Sequence, residues 1–91
     1  MRTLTIALKA QYFDEIKAGT KPEEYRLVTA YWRKRLEGRT YDQIELTKGY
    51  PRKDDRSRRL NIPWQGYTRK TITHPHFGPE PVEVFAIIVR H

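Results

Sequence analysis

The apolar residues at the start of the chain follow two different periods. Leucine and isoleucine alternate with smaller or polar residues over 3–8 (TLTIAL), which is the pattern of a strand with one buried face. Over 10–18 (AQYFDEIKA) the large apolar residues recur at helical spacing instead, and Gly19 follows directly. Glycine suits the left-handed conformation that commonly ends a helix. We therefore predict a strand and then a short helix.

The same two periods return before residue 40. Residues 23–28 (EEYRLV) alternate again, after Pro22 has prevented the helix from resuming. Thr29 is a typical N-cap for a second helix over 30–37 (AYWRKRLE), which Gly38 closes. These residues predict a second strand and a second helix.

The second half of the chain reads as β structure. Residues 41–47 and 66–73 are rich in β-forming residues, and 82–89 (VEVFAIIV) is apolar nearly throughout, which predicts a strand covered on both faces. The segments 49–59 and 74–81 lack a period and are predicted as loops. Together the elements predict an α+β, mainly β, fold: a small, partly closed barrel of about five mostly antiparallel strands, with two short helices in the N-terminal half.

Length and composition bound the class of protein. At 91 residues, without a repeat or a linker, the chain is predicted to be one domain spanning 1–91. It has no cysteine, and no apolar run approaches the roughly 20 residues of a membrane span. The N-terminus has no signal-peptide pattern. We expect a cytoplasmic protein without membrane association, and nothing in the sequence indicates an obligate protein partner.

Charge is the strongest global feature. Lysine and arginine outnumber the acidic residues by 18 to 11, for a net charge of +7. A basic domain attracts polyanions, and arginine adds bidentate phosphate contacts and stacking on bases. The alternative is that the charge only keeps the domain in solution. We therefore expect RNA or a nucleotide as partner, although charge alone does not distinguish between these two explanations.

A short motif gives this expectation a place. Gly19, Lys21, Glu24 and Arg26 follow the first predicted helix in the spacing G-x-K-x-x-E-x-R. The chain resembles the ASCH domain family in this motif and in the order of its elements. That resemblance implies a PUA-like barrel and a ligand cleft between the first helix and the barrel, lined by the motif residues. Glu24 and Arg26, two apart on a strand, share a face and can pair. The alternative is a surface salt bridge of at most about 1 kcal/mol.

Catalysis is the second hypothesis for that cleft. Some ASCH-like proteins hydrolyse N4-acetylcytidine with a lysine, a threonine and a glutamate, and others are linked to RNA cleavage. Lys21 matches their lysine, but Glu24 occupies the position of their threonine, so the nucleophilic hydroxyl is missing there. Lys21 and Glu24 remain the catalytic candidates. Because of the missing hydroxyl we rank binding above hydrolysis. A protein-interaction domain is a third hypothesis, for which basic charge is poor evidence.

The histidines offer few further routes to chemistry. His74-Pro75-His76 could supply two metal ligands or an acid and a base for RNA cleavage, but four ligands for a structural zinc site are not apparent. A proline-fixed loop is the favoured reading. We predict no metal site and no cofactor.

Two further groups are candidates for RNA contact. The segment 49–59 carries five basic residues spaced to reach several phosphates: Arg52, Lys53, Arg56, Arg58 and Arg59. The alternative is a solvated insertion that only adds charge. Trp64 and Tyr67 flank a glycine just after this loop, where stacking on RNA bases and packing in the core are equally compatible with the sequence. Trp32, in the second helix, is predicted to pack against the core.

Overall fold

A computed structural model describes all residues from Met1 to His91. Two α-helices lie in the N-terminal half and six strands are distributed along the chain. In chain order the elements are β1 (Thr3–Leu8), α1 (Ala10–Lys17), β2 (Glu23–Leu27), α2 (Ala30–Leu36), β3 (Gln43–Lys48), β4 (Arg59–Pro63), β5 (Tyr67–His74) and β6 (Gly78–Ile88). Short 3-10 turns occupy Arg56–Arg58 and Pro75–Phe77. Neither helix is long and apolar enough to span a membrane.

The strands form two open sheets of three strands each. The first has the order β1-β3-β4, and the second has the order β2-β6-β5. Only the β1–β3 pairing is parallel, so the predicted mostly antiparallel arrangement is confirmed. The α+β class and the two N-terminal helices are also confirmed. The strands number six instead of about five, and no hydrogen-bonded ladder closes them into one barrel.

Side chains from both sheets and both helices share one core. The residues of the core cluster are almost fully buried: Leu4, Ile6, Leu8, Phe13, Ile16, Leu36, Ile44, Leu46, Ile62, Phe85, Ile87 and Val89. Those on β1 and β3 alternate with polar residues, as the period of a half-buried strand requires. Each helix is too short to be stable alone, and its apolar side chains bind it to the sheets.

The helix ends are set by local sequence. After α1, the Thr20 amide donates to the Glu15 carbonyl at 3.0 Å and the Gly19 amide donates to the Ile16 carbonyl at 3.0 Å. This is the Schellman pattern, which requires a left-handed residue, and Gly19 has φ +83°. At α2, the Thr29 hydroxyl accepts from the Trp32 amide at 3.3 Å, which confirms the predicted N-cap.

The apolar C-terminal strand is central, as predicted. β6 pairs with β2 on one edge and with β5 on the other, and Val84 through Ile87 have no exposed surface. The prediction of a loop over 74–81 is wrong in part, because β6 begins at Gly78. Pro79 and Pro81 are tolerated there because they lie in an irregularity of the β5–β6 ladder, between the pairs Ile72–Val82 and His74–Gly78, and β2 does not pair with this part of β6.

Two other strands differ from the prediction. β4 was not predicted, since it begins at Arg59, the last residue of the segment predicted as a loop, and only Ile62 is buried. Its pairing with β3 over Gln43–Thr47 supplies the ordering that the local sequence lacks. β3 itself begins at Gln43, two residues later than expected, because Tyr41 and Asp42 act outside the ladder. The Asp42 carboxylate accepts from the Arg2 amide at 2.6 Å.

Candidate functional site

A cleft of about 380 Å³ opens where β1, β2, both helices and the turn after β5 meet. This volume lies in the range of small-molecule sites. Three of the four motif residues line it. The complete lining comprises Ala7, Lys9, Tyr12, Lys21, Glu24, Tyr25, Arg26, Leu27, Thr29, Tyr31, Trp32, His74, His76 and Phe77.

Glu24 is the buried centre of the motif, with 5% of its surface exposed. It lies on β2 opposite Ile87, on the same face as Arg26. A carboxylate at this depth requires pairing. One of its oxygens accepts from the Arg26 Nη2 at 2.9 Å, and the other lies 3.6 Å from the Lys21 Nζ. The three charged groups therefore form a chain with the carboxylate between two cations.

Arg26 links the two sheets at the bottom of the cleft. Its Nη2 also donates to the Ala7 carbonyl on β1 at 3.0 Å. Its guanidinium carbon lies 5.3 Å from the centre of the Trp32 ring, a cation–π distance. The Nε–H is buried without a hydrogen-bond partner. The guanidinium is thus held in one orientation by Glu24, Ala7 and Trp32.

Lys21 lies between two tyrosine rings. The turn that carries it is tied to α1, since the amides of Thr20 and Lys21 both donate to the Glu15 carbonyl. The Lys21 Nζ lies 5.1 Å from the Tyr12 ring centre and 4.7 Å from the Tyr25 ring centre. These contacts direct the ammonium group into the cleft.

The segment after β5 supplies a second aromatic wall. The His74 ring lies 6.0 Å from Tyr12 and 6.1 Å from Tyr25, both edge-on, and His76 lies 6.0 Å from Tyr12. The Nδ1 of His74 accepts from the His76 amide at 3.1 Å, and the Nδ1 of His76 lies 3.3 Å from the Lys9 Nζ. In the neutral form, each ring then carries its proton on Nε2. His74 and His76, which were predicted to lie in a loop, are therefore part of the cleft wall.

The opposite wall belongs to α2. Trp32 packs partly against the core, as expected, but it also lines the cleft. Tyr31 meets it edge-on at 5.3 Å and leaves 60% of its surface exposed. Leu27, also on the rim, is 38% exposed. Exposed apolar surface at the mouth of a polar cleft is typical of a binding site.

Tyr25 is protonated at physiological pH. Burial raises the pKa of its phenol, and the neighbouring Glu23 carboxylate raises it further. The hydroxyl donates to Glu23 at 3.2 Å. Glu23 in turn accepts from the Lys70 Nζ at 2.8 Å, and this hydrogen bond lowers the pKa of the Glu23 carboxyl. Tyr25 is thus a ring surface and a donor, and a poor candidate for a general base.

The basic residues predicted from 49–59 lie outside the cleft. Arg58 pairs with Asp55 at 3.4 Å. Arg59 pairs with Glu45 on β3 at 3.2 Å and donates to two backbone carbonyls of its own loop, so it connects the loop to the first sheet. The side chains of Arg52, Lys53 and Arg56 are exposed and take part in no ion pair. Their contact with RNA stays a prediction.

Trp64 and Tyr67, the two aromatic residues predicted as candidates for RNA contact, also lie outside the cleft. Trp64 meets the Tyr41 ring at 5.2 Å, and Tyr67 meets the Phe85 ring at 5.2 Å. Both are partly buried against the core cluster, which favours packing over base stacking. Gly19 lies beside a separate, smaller hollow of about 320 Å³ that it shares with Lys21.

The composition of the cleft determines what it can bind. Its charged lining consists of Lys9, Lys21 and Arg26 against Glu24 alone, so it attracts anions. Most of its remaining lining is aromatic. No three histidine, aspartate or glutamate side chains are grouped closely enough to hold a metal ion. Cations beside aromatic faces suit a planar ligand that carries a phosphate.

Sequence reasoning found the polar centre of the site and missed its walls. Tyr12, Tyr25 and Trp32 lie close to the motif in sequence, and the helical and strand periods place them near it. The segment His74–Phe77 lies some fifty residues away, and nothing in its pattern indicates contact with α1. An aromatic and histidine cluster in a proline-rich turn is the only sequence signal.

The comparisons with known proteins add no further identification. The chain matches no protein-family model, no curated protein and no solved structure. The ASCH resemblance therefore depends on the motif and on the order of the elements.

Proposed function

We propose that the protein binds single-stranded RNA and holds one nucleotide of it in the cleft lined by Lys21, Glu24 and Arg26. The observation that carries the proposal is the fixed charge chain at the bottom of the cleft, enclosed by aromatic rings. A purely structural ion pair would not require a wide opening above it. Here Lys21 and Arg26 both remain accessible to a ligand, at 13% and 25% of their side-chain surface.

The two kinds of lining residue have separate roles in this proposal. A base stacks on rings of the two walls, where the exposed Tyr31 and the half-buried Trp32 lie on one side and the half-buried Tyr12 and His74 on the other. The phosphate pairs with Lys21, whose three donors are satisfied only in part by Glu24. Glu24 keeps both cations in position.

The proposal includes membership of the ASCH family and a PUA-like arrangement of the two sheets. Support comes from the motif at Gly19, Lys21, Glu24 and Arg26 and from the order strand, helix, motif, strand, helix, strands. The Arg26–Ala7 hydrogen bond also supports this arrangement, because it connects β2 to β1 and each of these is an edge strand of its sheet.

Hydrolysis of RNA or of a modified nucleoside is the second candidate. The observation that favours it is the presence of His74 and His76 in the same cleft as Lys21, since two imidazoles and an ammonium can act as base, acid and phosphate ligand. The hydroxyls of the cleft do not favour it. Thr29 is engaged as the cap of α2, and Tyr25 is held protonated.

Replacement of Lys21 by glutamine tests the binding proposal. Lys21→Gln keeps most of the side-chain length and removes the charge. Loss of one charged contact is worth about 1.5–3 kcal/mol, so we expect affinity to fall by about 10-fold or more. The measurement is fluorescence anisotropy with two labelled single-stranded RNAs, a trinucleotide and a mixed-sequence 12-mer. Both RNAs should lose affinity.

The matched control is Lys17→Gln, which removes the same charge from the exposed end of α1. Equal losses for the two variants would mean that only overall charge matters and would reject the cleft. Electrophoresis of the recovered 12-mer tests RNA cleavage: intact RNA rejects cleavage, whereas products that disappear in a His74→Ala, His76→Ala double variant support it.

A further inference from the structure

A second concave surface borders the cleft on the far side of α2. It encloses about 390 Å³ and is lined by Thr3, Leu4, Tyr31, Lys34, Arg35, Arg39 and Tyr41. We call this surface the α2 groove. Its three charged lining residues are all basic, and no carboxylate pairs with any of them. A surface of one sign is a candidate site for a polyanion.

The α2 groove is continuous with the cleft through one exposed ring. Tyr31 lines both spaces. The Arg35 guanidinium carbon lies 5.1 Å from the Tyr31 ring centre and 5.7 Å from the Trp32 ring centre. Tyr31 and Arg35 therefore form the ridge between the two spaces, and a strand leaving the cleft over this ridge enters the groove.

Hydrogen bonds to backbone carbonyls near the end of α2 fix the residues of the groove. Arg39 donates through Nε to the Lys34 carbonyl at 2.7 Å, which leaves its two Nη groups directed away from the backbone. The Tyr41 hydroxyl donates to the Arg35 carbonyl at 2.5 Å. The Arg35 Nε–H is buried without a hydrogen-bond partner. The Lys34 and Arg35 carbonyls are thus satisfied within the protein, while the side chains of Lys34 and Arg39 remain exposed.

From this arrangement we infer that the α2 groove binds the phosphates of the nucleotides that follow the one in the cleft, so that the protein takes a single strand across Tyr31. The inference rests on the proposed function. Alternating cations and aromatic rings along a groove are the arrangement that binds single strands without reading their sequence. Tyr31 provides the exposed ring, Tyr41 packs against the core and bounds the groove, and Lys34, Arg35 and Arg39 provide the cations.

The basic loop is the competing surface. It holds Tyr50, which is 96% exposed, next to the exposed Arg52 and Lys53. None of these residues lines the cleft or the α2 groove. The loop therefore provides a matched control, because two cations can be removed from either surface with the same change in net charge.

The experiment compares Lys34→Gln, Arg39→Gln with Arg52→Gln, Lys53→Gln on the trinucleotide and the 12-mer. The groove pair should weaken the 12-mer at least several-fold and the trinucleotide less, because at most two nucleotides of the trinucleotide can follow the one in the cleft. If each side chain contacts one phosphate, the slope of log K against log salt should become shallower by about 1.4 units. If the groove is the site, the loop pair should leave the slope unchanged, whereas a shallower slope would support the contact with Arg52 and Lys53 that the sequence predicts. Thermal unfolding checks the fold, and Lys34→Gln alone, which leaves the Arg39 hydrogen bond intact, should shift the slope by about half as much.

Three outcomes would overturn the inference alone: no effect of the groove pair, the same loss from both pairs, or loss from the loop pair only. The affinity for a duplex of the same sequence should also be measured. If Lys34→Gln weakens duplex binding as much as single-strand binding, the ligand of the groove is not specifically a single strand. If the Lys21→Gln variant retains full affinity for the trinucleotide, the proposed function fails and the groove inference fails with it.

Discussion

At the scale of single residues, Glu24 has the most demanding environment in the protein. It is a carboxylate with 5% exposure, and its charge is compensated by one hydrogen-bonded guanidinium and one ammonium. Removal of one member of such a cluster leaves the others buried and unpaired, which costs more than the cluster contributes as a whole. The motif therefore stabilises the fold at the same place where it forms the proposed site.

Glu24→Gln should destabilise the protein although it preserves shape. The amide keeps one acceptor for Arg26 but leaves two cations without an anion between them. Because a hydrogen bond to a charged group is worth about 1.5–3 kcal/mol, we expect the free energy of unfolding to fall by about 2 kcal/mol in urea titrations. The control is Glu80→Gln on β6, an exposed carboxylate without an ion pair, which should change stability little. Equal stability of Glu24→Gln and the unmodified protein would contradict this account of the cluster.

At the scale of elements, the second sheet is fastened by an ion pair across its central strand. Glu23 on β2 accepts from Lys70 on β5 at 2.8 and 2.9 Å, so the pair passes over β6. The face beneath it includes Val84 and Ala86, which have no exposed surface. The hydrogen bond lowers the pKa of the Glu23 carboxyl and raises the pKa of the Lys70 ammonium. Two edge strands that do not pair with each other are thereby connected.

The lowered pKa of Glu23 predicts a pH dependence with a definite sign. The folded state binds the proton more weakly than the unfolded state, whose value is near 4.5. The stabilisation is therefore complete above pH 4.5 and is lost as pH falls towards the lower folded pKa. Glu23→Gln should lower the unfolding temperature by a constant amount from pH 6 to 8, and the difference should shrink below about pH 4.5.

Lys70→Met is the partner variant, and it should show the same convergence at low pH. Above pH 10.5, the unfolded value, the pair should weaken again, since a raised lysine pKa means that its contribution is lost as pH rises through the folded value. A difference between Glu23→Gln and the unmodified protein that persists unchanged to pH 3 would show that the pair contributes packing and no charge interaction.

At the scale of the whole molecule, two open sheets depend on one core. β1, β3 and β4 contribute one part of the cluster and β6 contributes another, while α1 and α2 add Phe13, Ile16 and Leu36. Neither sheet has its own second layer. A domain of this size buries a small core, so loss of either sheet exposes the apolar face of the other. We expect both sheets to unfold in a single transition.

A matched pair of variants tests this cooperativity. Ile44 on β3 and Ile87 on β6 are both fully buried, one in each sheet. Ile→Val in a core typically costs about 0.5–1.5 kcal/mol, so each variant should lower stability by about 1 kcal/mol. Tryptophan fluorescence and far-UV circular dichroism should report the same midpoint for both variants. Two separate transitions, each shifted by only one of the variants, would show that the sheets unfold independently.

Local patterns determined much of this architecture. Both helices and the strands β1 and β2 follow from periods of two or 3.6 residues, because those periods reflect backbone geometry. β5 follows from its β-forming residues and β6 from its nearly continuous apolar run. The Gly19 helix end and the Thr29 cap also follow from local chemistry. The pairing of Glu24 with Arg26 was predictable, since residues two apart on a strand share a face.

Features that depend on residues far apart in the sequence were decided only by the tertiary structure. β4 has few buried residues of its own and is ordered by pairing with β3, so its sequence carries a weak signal. The separation into two sheets depends on which edges meet, a choice among strand pairings with similar local patterns. The cleft walls were decided in the same way: His74 and His76 meet Tyr12 only because β5 ends beside α1. The α2 groove likewise exists because Tyr41 and β1 pack beside α2, whereas the sequence alone had directed attention to the charges of the 49–59 loop.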